Sequence, residues 1–85
     1  MTRNAMLNDR DALERWITEL VASAVDLEPA TIDVEARLDR YGIDSAAAIG
    51  LTDELEQGLG VPLDPTLLYE YPTIRSLSGF LTGAP

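Results

Sequence analysis

A serine stands where a helix is predicted to begin, in the stretch YGIDSAAAIGLTDELEQGLG (residues 41–60). A serine hydroxyl becomes a strong nucleophile when a neighbouring base takes its proton, and histidine is the usual base near neutral pH. The chain has no histidine, cysteine or lysine, so none of these residue types can activate Ser45 from within the protein. Ser45 is therefore either a helix cap or a hydroxyl on which another protein acts.

Two capping residues lie side by side at this position. Asp and Ser both accept hydrogen bonds from the unpaired N–H groups of a first helical turn, so a cap alone explains the dipeptide. If Asp44 is the cap, Ser45 becomes the first helical residue, and its hydroxyl lies beside the positive end of the helix dipole. An anion is stabilised there, so a phosphodiester on Ser45 would be favourable.

Two long helices are predicted from apolar residues at helical spacing. The first covers residues 9–25, with Asn8 as its N-cap, and the second begins at Asp44–Ser45 and ends near the glycines of residues 58–60. Their inward stripes are predicted to be Leu13, Trp16, Ile17, Leu20, Val21 and Ala24 in the first, and Ala48, Leu51, Thr52, Leu55 and Leu59 in the second.

The remaining segments predict a long connection and two shorter helices. Five apolar residues are expected to hold the connection against the bundle: Leu27, Ile32, Val34, Leu38 and Ile43. In LDPTLLYEYPT, Asp64 and Pro65 predict the start of a short helix, which must end before Pro72. Thr73 is predicted to cap a last helix over residues 74–82, whose inward positions are Ile74, Leu77, Phe80 and Leu81.

The predicted fold is therefore all-α, a small four-helix bundle of three main helices and one short helix, with a long first connection. Residues 1–85 are expected to form a single domain with flexible ends at 1–7 and 83–85. Trp16, Tyr69 and Tyr71 are predicted core residues, with one tyrosine hydroxyl able to reach the surface. The initiator methionine and self-contained boundaries favour a free-standing protein, although an excised domain would look similar.

The charge distribution limits the classes of partner. The net charge is −9, and residues 44–72 contain six acidic side chains and no cation. Nucleic acids and anionic membranes are therefore excluded as expected partners, whereas basic protein surfaces are favoured. There is no apolar run of the ~18 residues that a membrane span needs and no apolar core of a signal peptide, so a cytoplasmic location is expected.

No enzyme is predicted. A chain of 85 residues is too short for a core plus an enclosed cleft in which paired carboxylates could hydrolyse a substrate. The acidic residues around the serine do not have the spacing of a calcium-binding loop, so no metal site is expected.

The segment YGIDS, followed by I-x-L-x₃-L-E-x₂-L-G-V-P-L and YPTIRSLSGFL, resembles the acyl carrier protein family, and most of all its polyketide-synthase carriers. The resemblance covers nearly the whole chain. It implies that Ser45 is the attachment site of 4′-phosphopantetheine, with Asp44 and Gly42 completing the motif. It also implies that a phosphopantetheinyl transferase adds this arm from coenzyme A with magnesium. The thiol of the arm would hold acyl groups as thioesters, which accounts for the missing cysteine.

The resemblance also implies that partner enzymes contact one face of the second helix, where Ala46, Ile49 and Gly50 lie. Three acidic side chains of the same helix are predicted to lie mainly outward: Asp53, Glu54 and Glu56. They form either a solvated face or, beside a modification site, a surface that attracts basic enzymes. Ala46 stands where the family usually has leucine, and Gly50 where it often has glutamate, so a specialised set of partners is expected. Leu68 and Tyr69 of the short helix are expected to border the path of the arm.

Three functional interpretations follow. The first is an acyl carrier that serves acyltransferase, ligase and ketosynthase-type enzymes as a monomer. The second is a peptidyl or aminoacyl carrier with the same arm and a different cargo. The third is an acidic helical adaptor in which Ser45 is a cap and nothing more.

Overall fold

Four α-helices form the part of the protein that the structure describes. The computed structural model describes residues 7–83, and the helices are α1 (Arg10–Val25), α2 (Ser45–Leu59), α3 (Leu67–Glu70) and α4 (Ile74–Thr82). Two 3₁₀ turns, Pro29–Thr31 and Leu38–Tyr41, lie in the connection between α1 and α2. Within residues 7–83 there is no strand, and one antiparallel bridge joins Arg37 to Thr73. The predicted all-α fold with a long first connection is confirmed.

The start of α1 differs from the prediction by one residue. Asp9, not Asn8, is the N-cap: its backbone is extended and its Oδ1 accepts a hydrogen bond from the Ala12 N–H at 3.1 Å. Both side chains can cap, and local sequence does not distinguish two neighbouring acceptors. The helix ends at Asp26, whose φ of +59° places a non-glycine residue in the left-handed region.

The third helix is shorter than predicted. It begins at Leu67, and its N-cap, Thr66, makes no side-chain capping bond. Asp64 instead accepts hydrogen bonds from the backbone N–H and the hydroxyl of Thr66, at 2.8 and 2.7 Å, and so stabilises the turn before the helix. Tyr71 leaves helical geometry ahead of Pro72, as predicted.

The last helix begins and ends as predicted. Thr73 Oγ1 accepts from the Ser76 N–H at 3.0 Å, and Ser76 Oγ accepts from the Thr73 N–H at 3.1 Å. This reciprocal pair is a capping box. Gly83, with φ +71°, ends the helix.

The core lies where α1 packs against both α2 and α4. The most completely buried side chains are Leu13, Ile17, Val21, Leu55, Leu59, Ile74, Leu77 and Ser78. The predicted inward stripe of α2 is entirely buried. The Ser78 hydroxyl donates to the Ile74 carbonyl at 2.8 Å, so this buried polar group is satisfied.

Several predicted core residues lie at the surface instead. Ala24 is exposed and Ala22 is buried in its place, because the last turn of α1 faces a different side of the bundle. Leu27, which follows the end of α1, is 47% exposed. Phe80 lies at the edge of the core on α4 and is 48% exposed. Tyr69 is 66% exposed, which corrects its placement in the core.

Two of the aromatic residues predicted for the core, Trp16 and Tyr71, are only half-buried. Trp16 packs on the edge of the core rather than inside it. Tyr71 is also half-buried and stacks on Phe80, with ring centroids 4.4 Å apart. The exposed ring of Phe80 is thereby partly covered.

The connection is held against the bundle by side chains and by backbone bonds. Ile32, Leu38 and Ile43 are buried, as predicted, and Val34 is half-buried. The Leu38 N–H donates to the Pro72 carbonyl at 2.8 Å, and the Arg75 N–H donates to the Val34 carbonyl at 2.9 Å. These bonds fix the segment before α2 beside the segment that links α3 to α4.

Of the two ends expected to be flexible, residues 1–6 and 84–85 lie outside the residues that the structure describes. Two positions of those expected ends are described: Leu7 packs against the core and Gly83 caps α4. Among residues 7–83, no helix combines the length and the apolarity required to cross a bilayer.

Candidate functional site

The turn before α2 is built from local backbone preferences. The 3₁₀ turn ends at Gly42, whose φ of +82° favours glycine, and the Gly42 N–H donates to the Asp39 carbonyl at 3.0 Å. Ile43 is buried on the far side of the turn. Because Leu38 and Ile43 are both anchored in the core, the residues that follow emerge at the surface in a fixed position.

Asp44 caps α2. Its backbone is extended, its Oδ1 accepts from the Ala47 N–H at 2.9 Å, and its carbonyl accepts from the Ala48 N–H at 2.8 Å. Ser45 is consequently the first helical residue and its side chain is exposed. The hydroxyl of Ser45 is therefore not used for capping.

The Ser45 hydroxyl meets a side chain from a distant part of the chain. Its Oγ lies 2.6 Å from the phenol oxygen of Tyr69, 24 positions later. Sequence reasoning placed Tyr69 near the site but did not find this contact, because it depends on how α3 packs beside α2.

A groove opens beside this hydrogen bond. Its volume is about 290 Å³, and its apolar lining comes from Leu38, Ile43, Ala48, Leu68 and Pro72. Its polar lining comes from Arg37, Asp39, Asp44, Ser45 and Tyr69. No sequence signal pointed to Arg37 or Asp39 as neighbours of the serine.

The arrangement suits a phosphoester on Ser45. The N–H groups of the first turn that Asp44 does not engage have no intrahelical partner, and the helix dipole is positive there. The exposed hydroxyl leaves room for a bulky substituent. Among residues 7–83 there is no cluster of three or more possible metal ligands, and the contact of the hydroxyl is with a phenol. The Ser45 hydroxyl is thus exposed at the N-terminal end of α2, with a phenol as its side-chain contact.

All six residues predicted to contact partners lie on α2, and five of the six are exposed. Ala46, Ile49, Gly50, Asp53 and Glu54 are all exposed, Ile49 to 51%.

Glu56 is the exception. It is half-buried, and its Oε1 accepts from the Leu63 N–H at 2.8 Å. The chain turns back at Gly60, which brings Leu63 alongside α2 and engages this carboxylate within the fold. Glu56 is thus only partly outward, and one of its carboxylate oxygens is engaged within the fold.

Residues 15–81 match the protein family described as the phosphopantetheine attachment site. This span is most of the chain and includes the turn, α2, α3 and nearly all of α4. The chain belongs to this family of carrier proteins. Its cofactor is 4′-phosphopantetheine, as the resemblance implied.

Curated relatives of the carrier include polyketide synthases. Polyketide synthase PksL of Bacillus subtilis is 38% identical over 71 residues, which cover 84% of the carrier but 2% of the synthase. The carrier thus spans a small fraction of this relative. Acyl carrier protein TtuC of Teredinibacter turnerae is 26% identical over 69 residues, covering 81% of the carrier and 79% of TtuC.

A solved structure of similar size shares the fold. It is a free-standing peptidyl carrier protein from a secondary metabolic pathway of Acinetobacter baumannii, with a TM-score of 0.84 and 37% identity. The match covers 89% of the carrier and 95% of that chain. Both acyl and peptidyl carriers are therefore similar to this protein, and the predicted membership of the carrier family is confirmed.

Proposed function

We propose that the carrier accepts 4′-phosphopantetheine on Ser45 Oγ and presents acyl groups to enzymes of a polyketide-synthase type. The observation that carries the proposal is the exposed hydroxyl of Ser45, the first residue of α2, which is not used in capping because Asp44 caps the helix. The similarity to polyketide synthases supports the class of pathway.

In the proposed modification, Ser45 Oγ forms a bond to the phosphorus of coenzyme A that bears the pantetheine group. The proton of Oγ passes to a base of the transferase. The bond from that phosphorus to the adenosine 3′,5′-diphosphate breaks, and this leaving group keeps the electron pair. The role of Asp44 is to fix the first turn, and that of Gly42 is to allow the approach to it.

The arm, once bound, supplies a thiol that holds an acyl group as a thioester. The protein tethers this group and raises its effective concentration at each partner enzyme, and this role needs no catalytic residue of its own. We place the start of the arm beside Leu68 and Tyr69, because both line the groove next to Ser45.

We further propose that partner enzymes read the exposed face of α2. Ile49 offers an apolar contact, and Asp53 and Glu54 attract basic surfaces. Ala46 and Gly50 make the centre of this face flat. Glu56 is left out of the proposed surface because it holds Leu63.

Charge reversal tests the role of the acidic side chains. Asp53→Lys with Glu54→Lys is expected to slow association with a basic transferase about tenfold at low salt, with the difference shrinking as salt screens the charges. Asp11→Lys with Glu19→Lys, which reverses two exposed acids of α1, is the matched control. Equal rates for the two variants would remove the surface from the proposal.

Position 46 tests the specialised partner set. If the flat face disfavours transferases of the fatty-acid type, Ala46→Leu should be modified faster than the wild type by such an enzyme. Rates that do not differ would eliminate this part of the proposal.

The modification itself is tested by intact mass. The chain is incubated with coenzyme A, magnesium and a broad-specificity transferase, and a gain of one phosphopantetheine is expected. Ser45→Ala should show no gain, whereas Ser23→Ala, which removes another exposed helical serine, should show the full gain. An unchanged mass in the wild type would leave the adaptor interpretation.

A peptidyl or aminoacyl cargo is the second candidate, favoured by the similarity to the free-standing peptidyl carrier. The loaded arm distinguishes the two. Acylation of the holo carrier by malonyl-type acyltransferases supports the first candidate, and acylation by an amino-acid-activating ligase supports the second.

A further inference from the structure

Tyr69 occupies its place beside Ser45 without being required by the core. Its side chain is 66% exposed, whereas the two preceding residues, Leu67 and Leu68, are buried at 3% and 8%. The buried leucines pin α3, and the Tyr69 N–H donates to the Thr66 carbonyl at 3.0 Å. The phenol therefore projects from a fixed backbone to within 2.6 Å of Ser45 Oγ.

Attachment of a phosphate to Ser45 would decide which residue donates the hydrogen bond between Ser45 and Tyr69. In the unmodified chain either hydroxyl can donate. Once Oγ is bonded to phosphorus it has no proton, so Tyr69 is then the donor of the pair. The non-bridging phosphate oxygens carry negative charge and accept hydrogen bonds more strongly than a neutral ester oxygen does.

We propose that the Tyr69 hydroxyl donates a hydrogen bond to the phosphate on Ser45 and thereby directs the start of the arm along the groove between α2 and α3. This inference rests on the proposed modification of Ser45. Tyr69 is a positioning residue, and no bond of its own is made or broken.

The charges around the groove explain why a neutral donor is useful at this point. Asp39 and Asp44 line the groove and repel a phosphate, while Arg37 is ion-paired with Asp39 at 3.3 Å. A phenol contributes a donor and leaves the charge of the site unchanged. The exposed backbone end of α2 and the Tyr69 hydroxyl then approach the phosphate from two sides.

The same contact affects the modification reaction. Negative charge on the non-bridging oxygens is brought beside Tyr69 as Oγ attacks, so the hydrogen bond changes from a neutral one to a charge-assisted one. Charge-assisted bonds are about twice as strong as neutral ones. Loss of the phenol hydroxyl is therefore expected to lower the rate of modification about five- to tenfold.

The kinetic test compares Tyr69→Phe with Tyr71→Phe. The constants measured are those of the transferase with the carrier as its varied substrate. Because Tyr69→Phe removes the hydroxyl, kcat should fall about five- to tenfold. Because it keeps the ring that a transferase would touch, KM should change less than about twofold. Tyr71 stacks on Phe80 and lines a different groove, so Tyr71→Phe should retain wild-type kinetics. A decrease below twofold in Tyr69→Phe, or an equal decrease in both variants, overturns the proposal.

Phosphorus NMR of the holo proteins gives a readout that does not depend on enzyme rates. All variants are modified to completion, and the phosphodiester resonance is compared. It should shift in Tyr69→Phe and coincide with the wild type in Tyr71→Phe. Coincident resonances in all three proteins overturn the role of Tyr69 while leaving the modification of Ser45 intact.

Failure of the proposed function has a different signature. In that case the wild type itself gives no mass gain and no phosphodiester resonance, and both proposals fall together. Thermal unfolding of Tyr69→Phe, expected to match the wild type because the side chain is exposed, separates a local effect from loss of the fold.

Discussion

The two glycines within α2 are expected to respond in opposite directions to the same substitution. A Cβ atom at Gly50 would meet no atom within 4 Å, so the side chain of alanine would lie in open space. A Cβ atom at Gly58 would overlap the indole of Trp16 at Cζ2 and Cη2. Gly50→Ala should therefore stabilise the protein, and Gly58→Ala should destabilise it.

The magnitudes follow from two competing contributions. Alanine is favoured over glycine inside a helix by about 1 kcal/mol, and Gly50→Ala gains this without opposition. In a domain of this size that corresponds to a rise in Tm of about 4–8 °C. At Gly58 the propensity gain is opposed by overpacking, which costs about 1–3 kcal/mol when a rigid ring must move. The net expectation for Gly58→Ala is a loss of about 1 kcal/mol.

The assay is thermal and urea unfolding followed by circular dichroism and by the fluorescence of Trp16, the single tryptophan. Native-state fluorescence should change in Gly58→Ala and stay constant in Gly50→Ala. In a Trp16→Leu background the overlap is removed, so Gly58→Ala should there become neutral or stabilising. If Gly58→Ala stabilises the wild type as much as Gly50→Ala does, the packing argument is refuted.

Three further expectations concern hydrogen bonds. Glu56→Ala leaves the half-buried Leu63 N–H without its acceptor and should cost about 1–3 kcal/mol in urea unfolding. Thr73→Val removes the capping box of α4 and should cost about 1 kcal/mol in the same assay. The pKa of Asp64 is lowered from its ordinary 3.8, first by the backbone N–H of Thr66 and then by its hydroxyl. Asp64 therefore stabilises the fold above about pH 4, and its contribution is lost as the pH falls through the lowered pKa. The Tm difference between wild type and Asp64→Asn should shrink over that range.

Each expectation has its own control. Glu54→Ala removes an exposed acid from the same helix and should change stability by less than about 0.5 kcal/mol; an equal loss in both would contradict the role of Glu56. Thr73→Ser keeps the capping oxygen and should retain most of the stability, so an equal loss there would count against the capping box. A Tm difference for Asp64→Asn that does not vary with pH would show that its carboxylate is not stabilised by folding.

The local parts of this structure were determined by the sequence. Helix periodicity identified α1, α2 and α4, and the cap at Thr73 was correctly predicted, because a cap involves atoms only three residues apart. For α2 the sequence offered Asp44 and Ser45 as candidates, and Asp44 is the cap. The carrier family was also identified from the sequence, by the G-x-D-S motif of residues 42–45 and the spacing of the apolar residues that follow it. Local sequence could not decide whether Asn8 or Asp9 is the N-cap of α1, since either side chain satisfies the same geometry.

The tertiary structure decided what depends on how the helices pack. The contact of Ser45 with Tyr69, the bond of Glu56 to Leu63 and the fit of Gly58 against Trp16 each join segments that periodicity treats separately. Tyr69 was predicted both as a core residue and as a neighbour of the arm, and the packing of α3 beside α2 decides between them by leaving it exposed. Periodicity tells which face of a helix is apolar, but the relative rotation and offset of two helices decide which side chains meet across them.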